Sequence, residues 1–309
     1  MNRLQDALAD YLALRRSLGF TLAREEKLLG QFLIWLEEQG TDTVTIAKVL
    51  AWVRLPSSAS PSWLRMRMRA VRGFAGYLRT IDPAHEIPPP GLVPGRVRRA
   101  VPYLYSESDI AALMAQTGHL KTPLRRASIR TLIGLLAVTG MRLGEVTGLD
   151  DGDFDADDGL LVVRRAKFGK QRQLPLHPST VTELVAYRQL RDQRFSLPVS
   201  PALLVSDAGT RLLNYNVGQT FAKLTRRAGL TPRSPACRPR PHDLRHTFAV
   251  RTLLGWYRDG GDVAARLPLL STYLGHVAPA NTYWYLTAAP ELLAEAASRL
   301  ETASQGGER

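Results

Sequence analysis

The chain has 309 residues, 45% hydrophobic and 22% charged, with a single cysteine. That length fits about two domains with ordinary cores, which excludes a disordered tail, a collagen-like chain and a disulfide-stapled scaffold. The 41 Lys and Arg outnumber the 28 Asp and Glu, for a formal +13, so composition favours a polyanionic partner.

Of the basic residues 35 are Arg and six are Lys. Arg forks onto a phosphate with two donors, which Lys cannot do. The excess is +5 over residues 1–98 and +8 over the remainder, so it is not a detachable basic tail. The opening MNRLQDALADYLALRR mixes apolar and charged residues, unlike a signal peptide. No apolar run reaches the ~18 residues of a membrane span. The expectation is a soluble cytoplasmic protein with no membrane partner.

In chain order, four helices are predicted near 2–18, 22–39, 45–54 and 61–80. In the fourth, Trp63, Met66, Ala70, Phe74 and Tyr77 recur at 3, 4, 4 and 3 residues and form one apolar face. Arg65, Arg69, Arg72 and Arg79 form a separate basic stripe, with no interspersed carboxylate to pair with. Such a stripe suits a DNA backbone; a plain solvated face has the same pattern. Pro88, Pro89, Pro90, Gly91, Pro94 and Gly95, together with Arg96, Arg98 and Arg99, then break all periodicity and read as a stiff basic linker. The boundaries expected are a helical domain over 1–86, a linker over 87–104 and a second domain over 105–309.

The second domain begins with a capping box, Ser106 and Asp109, on a helix to about Gln116. A helix from Pro123 to Val138 stops at Gly140, and another runs from Arg142 to Gly148. Residues 160–165 and 172–176 read as two strands joined by AKFGKQ. Helices follow near 179–194, 215–228, 242–257, 263–274, 279–286 and 290–302. The fold class is mainly α with a small antiparallel sheet.

Several chemistries are excluded. There is no GxxxxGK[ST] loop and no strand–GxGxxG–helix unit. The run Asp151, Asp153, Asp155, Asp157, Asp158 fails as a calcium loop. Counting from Asp151, position 6 is Ala156 rather than Gly; counting from Asp153, position 12 is Arg164 rather than Glu. It reads as a solvated turn. His242 and His246 stand four apart in HDLRH, a spacing open to zinc. Asp243, however, stands where HExxH needs Glu, and Arg245 shares the face of His242. A cation there repels a metal and attracts a phosphate, so neither a metal nor a cofactor is expected.

The phosphate reading joins Arg142 in TGMRLGEV, Lys167 in AKFGK, Arg245 in HDLRHTFA, His276 in YLGH and the tyrosines of NTYWYL. In that order these motifs resemble the tyrosine recombinases of the phage-integrase and Xer type. TGMRLGEV matches the first-arginine motif and AKFGKQRQLPL the lysine hairpin. HDLRHTFA matches the His-x-x-Arg box, and YLGH supplies the later histidine. Tyr285, nine residues after His276, matches the nucleophile; Tyr283 is assigned to packing. The family often has a Gly-Lys-Gly turn where Ala166 and Phe168 flank Lys167, so Lys170 is the competing lysine. TYWYL and the residues after it resemble transposon-associated members.

The resemblance implies an N-terminal core-binding domain of four helices and a C-terminal catalytic domain. Its implied activity is site-specific cutting and rejoining of double-stranded DNA through a 3′-phosphotyrosyl link. Arg142 and Arg245 would hold the nonbridging oxygens, with His242 accepting a proton and His276 donating a hydrogen bond. Lys167 would protonate the 5′ oxygen, and Tyr285 would attack without metal or ATP. Glu145, one turn after Arg142, would orient it. The partners implied are DNA and other copies of the chain, as a tetramer on paired sites docked through ELLAEAASRL. The alternatives are a type IB topoisomerase-like enzyme and a catalytically silent DNA-binding regulator.

Overall fold

The computed structural model describes residues 3–55, 57–93, 100–164, 171–195, 197, 199–275 and 282–283. They fall into two compact units, 1–99 and 100–309.

The first unit holds α1 (Arg3–Ser17), α2 (Ala23–Glu38), α3 (Ile46–Arg54) and α4 (Pro61–Ile81). Side chains set the starts of the last two. Thr45 Oγ1 accepts the Lys48 amide at 3.4 Å, and Ser60 Oγ accepts the Trp63 amide at 3.3 Å, with Pro61 in the first turn. Leu29, Phe32, Leu36, Trp52, Val71 and Phe74 are buried at the centre. The buried face of α4 is turned from the predicted one. Met68, Ala70, Val71, Phe74, Ala75 and Leu78 line it, while Trp63, Met66 and Tyr77 are only half-buried at its edge. Arg67 joins the buried face because its guanidinium lies 3.6 Å from the Trp52 ring centre and donates to the Trp52 carbonyl at 2.7 Å.

The second unit runs α5 (Glu107–Ala115), α6 (Pro123–Thr139) and α7 (Leu143–Gly148), then β1 (Phe154–Asp155), β2 (Leu160–Val163) and β3 (Arg172–Pro175). It continues through α8 (Pro178–Arg194), α9 (Asn214–Arg227), α10 (Pro241–Arg258) and α11 (Val263–Leu274). The capping box is present: Asp109 N–H donates to Ser106 Oγ at 3.0 Å and Ser106 N–H to Asp109 Oδ2 at 2.9 Å. The sheet is antiparallel in the order β1-β2-β3, with Val163 opposite Arg172 and Leu161 opposite Leu174. β2 is shorter than predicted because Arg164 leaves it to bind the Asp153 carboxylate.

Asp155, Asp157 and Asp158 form an exposed turn, with the Asp157 and Asp158 amides donating to Asp155 Oδ1 at 3.0 Å, but the start of the acidic run is ion-paired. Asp150 pairs with Arg211, Asp151 accepts from Arg188 at 2.9 Å and Arg191 at 2.7 Å, and buried Asp153 holds Arg164. These pairs tie the sheet to α8 and to the segment before α9.

Leu132, Ile133, Leu135 and Leu136 of α6 are almost fully buried. Burying each such side chain contributes ~1.5–3 kcal/mol. They share a core with Leu184 and Tyr187 of α8 and Leu244 of α10. Further along α10, Ala249, Val250 and Leu253 form a second core with Val263, Leu267, Leu270 and Leu274 of α11. α10 therefore belongs to both cores, which fixes its first turns beside the C-terminal ends of α6 and α11. No helix among the described residues is long and apolar enough to cross a membrane.

Candidate active site

α6 ends at Gly140, with φ +61. A Cβ there would lie 2.6 Å from the Phe248 ring and 3.1 Å from Leu274. Both the left-handed backbone and the close approach of α10 and α11 require glycine. The turn sets Arg142 at the head of α7. The Arg142 amide donates to Glu145 Oε2 at 2.9 Å, and its Nη1 donates to Glu145 Oε1 at 2.8 Å. Its Nη2 donates to the Gly275 carbonyl at 3.2 Å. The Arg142 side chain keeps 34% of its surface exposed.

Arg245 comes from the first turns of α10 and is 1% exposed. Its Nη1 donates to the Gly140 carbonyl at 2.8 Å and its Nη2 to the Leu274 carbonyl at 2.7 Å. A buried cation requires such partners. The two arginines therefore bind consecutive carbonyls, Leu274 and Gly275, at the C-terminal end of α11. Nothing in the motif spacing signals that Arg245 also ties three helix ends together.

His242, the second residue of α10, stands beside these arginines with much of its surface exposed to solvent. Burial of the ring and the charges of Arg245, Arg142 and Arg240 push its pKa down to about 4, with Glu145 opposing. The imidazole is neutral at pH 7 and able to accept a proton. Its ring stands edge-on to His246, centroids 4.8 Å apart. Asp243, which occupies the glutamate place of a zinc motif, is fully buried and turned to Arg240, accepting at 2.8 and 3.0 Å. Among the described residues no cluster of three or more His, Cys, Asp or Glu is placed to hold a metal.

Burial alone would raise the Glu145 carboxyl, but hydrogen bonds and charge from Arg172 and Arg142 hold its pKa at about 2. Arg172, absent from the candidate residues read from sequence, donates to Glu145 Oε2 at 2.7 Å and to Oε1 at 3.3 Å. The signal available was strand period: Arg172 and Leu174 share one face of β3, and Leu174 is fully buried.

Lys167, Lys170, His276 and Tyr285 lie outside the described residues, as do Arg96, Arg98, Arg99 and the segment ELLAEAASRL. Tyr283, expected to pack, is 54% exposed, next to buried Thr282. On α4, Arg69 pairs with Glu25 of α2 at 3.5 Å, a carboxylate partner from another helix. Arg72 donates to the carbonyls of Pro88 and Pro89, both at 2.8 Å, tying α4 to the Pro-rich segment. Arg79 is exposed and Arg65 half-buried.

Residues 105–291 match the model of the phage integrase family. The chain belongs to that family. Its tyrosine recombinases are DNA strand-transfer enzymes. This integrase-family chain is 42% identical over 307 residues to y4rB of Sinorhizobium fredii, whose name describes an integrase/recombinase, covering 97% of this chain and 98% of that one. It is 26% identical to the tyrosine recombinase XerA of Thermococcus kodakarensis, covering 96% and 94%. Two solved structures share the fold. The integrase of transposon Tn1549 in complex with transposon right end DNA matches at TM-score 0.62 and 16% identity, over 96% of this chain and 99% of that one. A lambda integrase tetramer bound to a Holliday junction matches at 0.57 and 16%, over 91% and 76%.

Proposed function

We propose that this recombinase cuts and rejoins double-stranded DNA at specific sites through a 3′-phosphotyrosyl intermediate on Tyr285. The observation that carries the reading is the meeting of Arg142 and Arg245 on consecutive carbonyls beside His242. Two fixed guanidinium groups meet the charge that grows on a phosphate as it is attacked. Their anchors leave little reorganisation for the reaction itself. A neutral imidazole can take the tyrosine proton, since a phenol with pKa ~10 is otherwise protonated at neutral pH. Lys167 gives a proton to the departing 5′ oxygen, and His276 donates a hydrogen bond to the phosphate. Because the phosphotyrosyl link keeps the phosphodiester energy, rejoining needs no nucleotide.

Residues 1–86 serve as the core-binding domain, 87–104 as the linker and 105–309 as the catalytic domain. Arg65, Arg69, Arg72 and Arg79, with Arg96, Arg98 and Arg99, contact the DNA backbone. The +13 charge supports a DNA partner, as do the DNA-bound structures of the same fold. The enzyme works in the cytoplasm as a tetramer on paired sites, joined through ELLAEAASRL.

The test starts from duplexes with a randomised core and a nick in one strand, where cleavage beside the nick releases a short fragment and traps any covalent adduct. Sequencing the trapped DNA yields a preferred site. Two intact duplexes carrying that site should then exchange strands. Supercoil relaxation without exchange would favour a topoisomerase, and binding without any adduct a silent regulator.

A further inference from the structure

Arg172 is the first residue of β3 and lies opposite Val163 of β2. Its side chain is 11% exposed and that of Glu145 is 7% exposed. Both Glu145 oxygens accept from Arg172, at 2.7 and 3.3 Å, and both accept from Arg142, at 2.9 and 2.8 Å. One carboxylate is thus gripped by two arginines from different elements. Arg172 also lies against Gly275, whose carbonyl binds Arg142. A Cβ on Gly275 would come within 2.8 Å of Arg172 Nη1, and its φ of +66 also calls for glycine.

We propose that Arg172 is a positioning residue for strand cleavage, acting on Arg142 through the shared Glu145 carboxylate. The inference rests on the recombinase reading above. A carboxylate held by Arg142 alone could turn with it. Held from β3 as well, it is a fixed post, and Arg142 then has a set direction toward the phosphate. The planar fork matters here. One guanidinium reaches both oxygens of a carboxylate, whereas an ammonium is a single point charge. A misplacement of ~1 Å in a group that meets the reacting atoms can slow a reaction by ~10²-fold.

The experiment uses the full chain and a nicked duplex selected as above, measuring the rate of covalent adduct formation and the affinity for the uncut duplex. Arg172→Ala should slow adduct formation by ~30-fold or more while affinity changes by less than ~3-fold. Arg172→Lys, which keeps charge and stem and guards against a failure of Arg172→Ala to fold, should stay at least ~10-fold slow. Restoration of the full rate by Lys would overturn the proposal, because charge alone would then suffice. Glu145→Gln completes a cycle. If Arg172 acts through Glu145, Glu145→Gln with Arg172→Lys should be little slower than the slower single variant. Multiplied effects would mean an independent role and would also overturn it. If the unaltered chain forms no adduct with any library member, the recombinase reading itself fails. If it does and the Arg172 variants match it, only the positioning role fails.

Discussion

Replacing Arg142 or Arg245 by lysine should slow cleavage alike yet change stability very differently. Arg245 is buried and spans two carbonyls, at 2.8 and 2.7 Å. Lysine can reach only one of them. The change removes one charge-assisted bond and leaves its buried carbonyl unpaired, a cost of about 2–3 kcal/mol. At ~2–4 °C per kcal/mol for a unit of about 200 residues, the thermal transition of residues 100–309 should fall by roughly 5–10 °C. Arg142 is one-third exposed, and Glu145 keeps its bonds to the residue 142 amide and to Arg172. Arg142→Lys should therefore cost about 1 kcal/mol or less. Both variants should lose ~10²-fold or more in adduct formation, the scale of one transition-state donor, with affinity reduced only a few-fold. Calorimetry of the two variants, with adduct rates on the selected nicked duplex, decides the matter. Equal thermal transitions would refute the anchoring role given to Arg245. Losses of affinity as large as the losses of rate would make both residues ordinary DNA-binding groups.

Lys167→Ala should lose cleavage of an ordinary phosphodiester and regain it with a 5′-bridging phosphorothiolate, whose sulfur leaves without a proton; rescue of Lys170→Ala instead would move the acid three residues along. In the free protein His242 should titrate near pH 4, followed by NMR of its ring protons. The unfolded chain protonates first, so this group's contribution is complete above about pH 6.5 and is lost as pH falls toward 4; titration above 7 would leave it charged at neutral pH and remove it as the proton acceptor. Neutralising Arg65, Arg69 and Arg79 together should flatten the salt dependence of DNA binding by ~0.9 for each phosphate that is no longer neutralised. An unchanged slope would make the stripe a solvated face.

The helix frame was legible where local chemistry writes it: Ser106 with Asp109, and Gly140 after α6, act within a few residues. Arg142, His242 and Arg245 were found by motif, and the structure brings them together. Their anchors were not legible. Glu145 meets Arg172 across 27 residues and Arg142 meets Gly275 across 133, distances at which no periodicity speaks. The predicted face of α4 does pack on the core, but its centre is turned toward Met68, Val71, Ala75 and Leu78, a second apolar row at helical spacing, and Arg67 joins it by lying over Trp52. β1 has two residues, too few to show alternation. Asp151 and Asp153 looked solvated because their partners Arg188, Arg191 and Arg164 come later in the chain.

The central claim is that Tyr285 attacks the phosphate. The direct measurement is mass spectrometry of the peptide that remains linked to DNA after digestion of the trapped adduct. The expected result is a 3′-phosphotyrosyl bond on Tyr285, with the adduct lost in Tyr285→Phe and kept in Tyr283→Phe. A link to Tyr283, or an undiminished adduct in Tyr285→Phe, would contradict it.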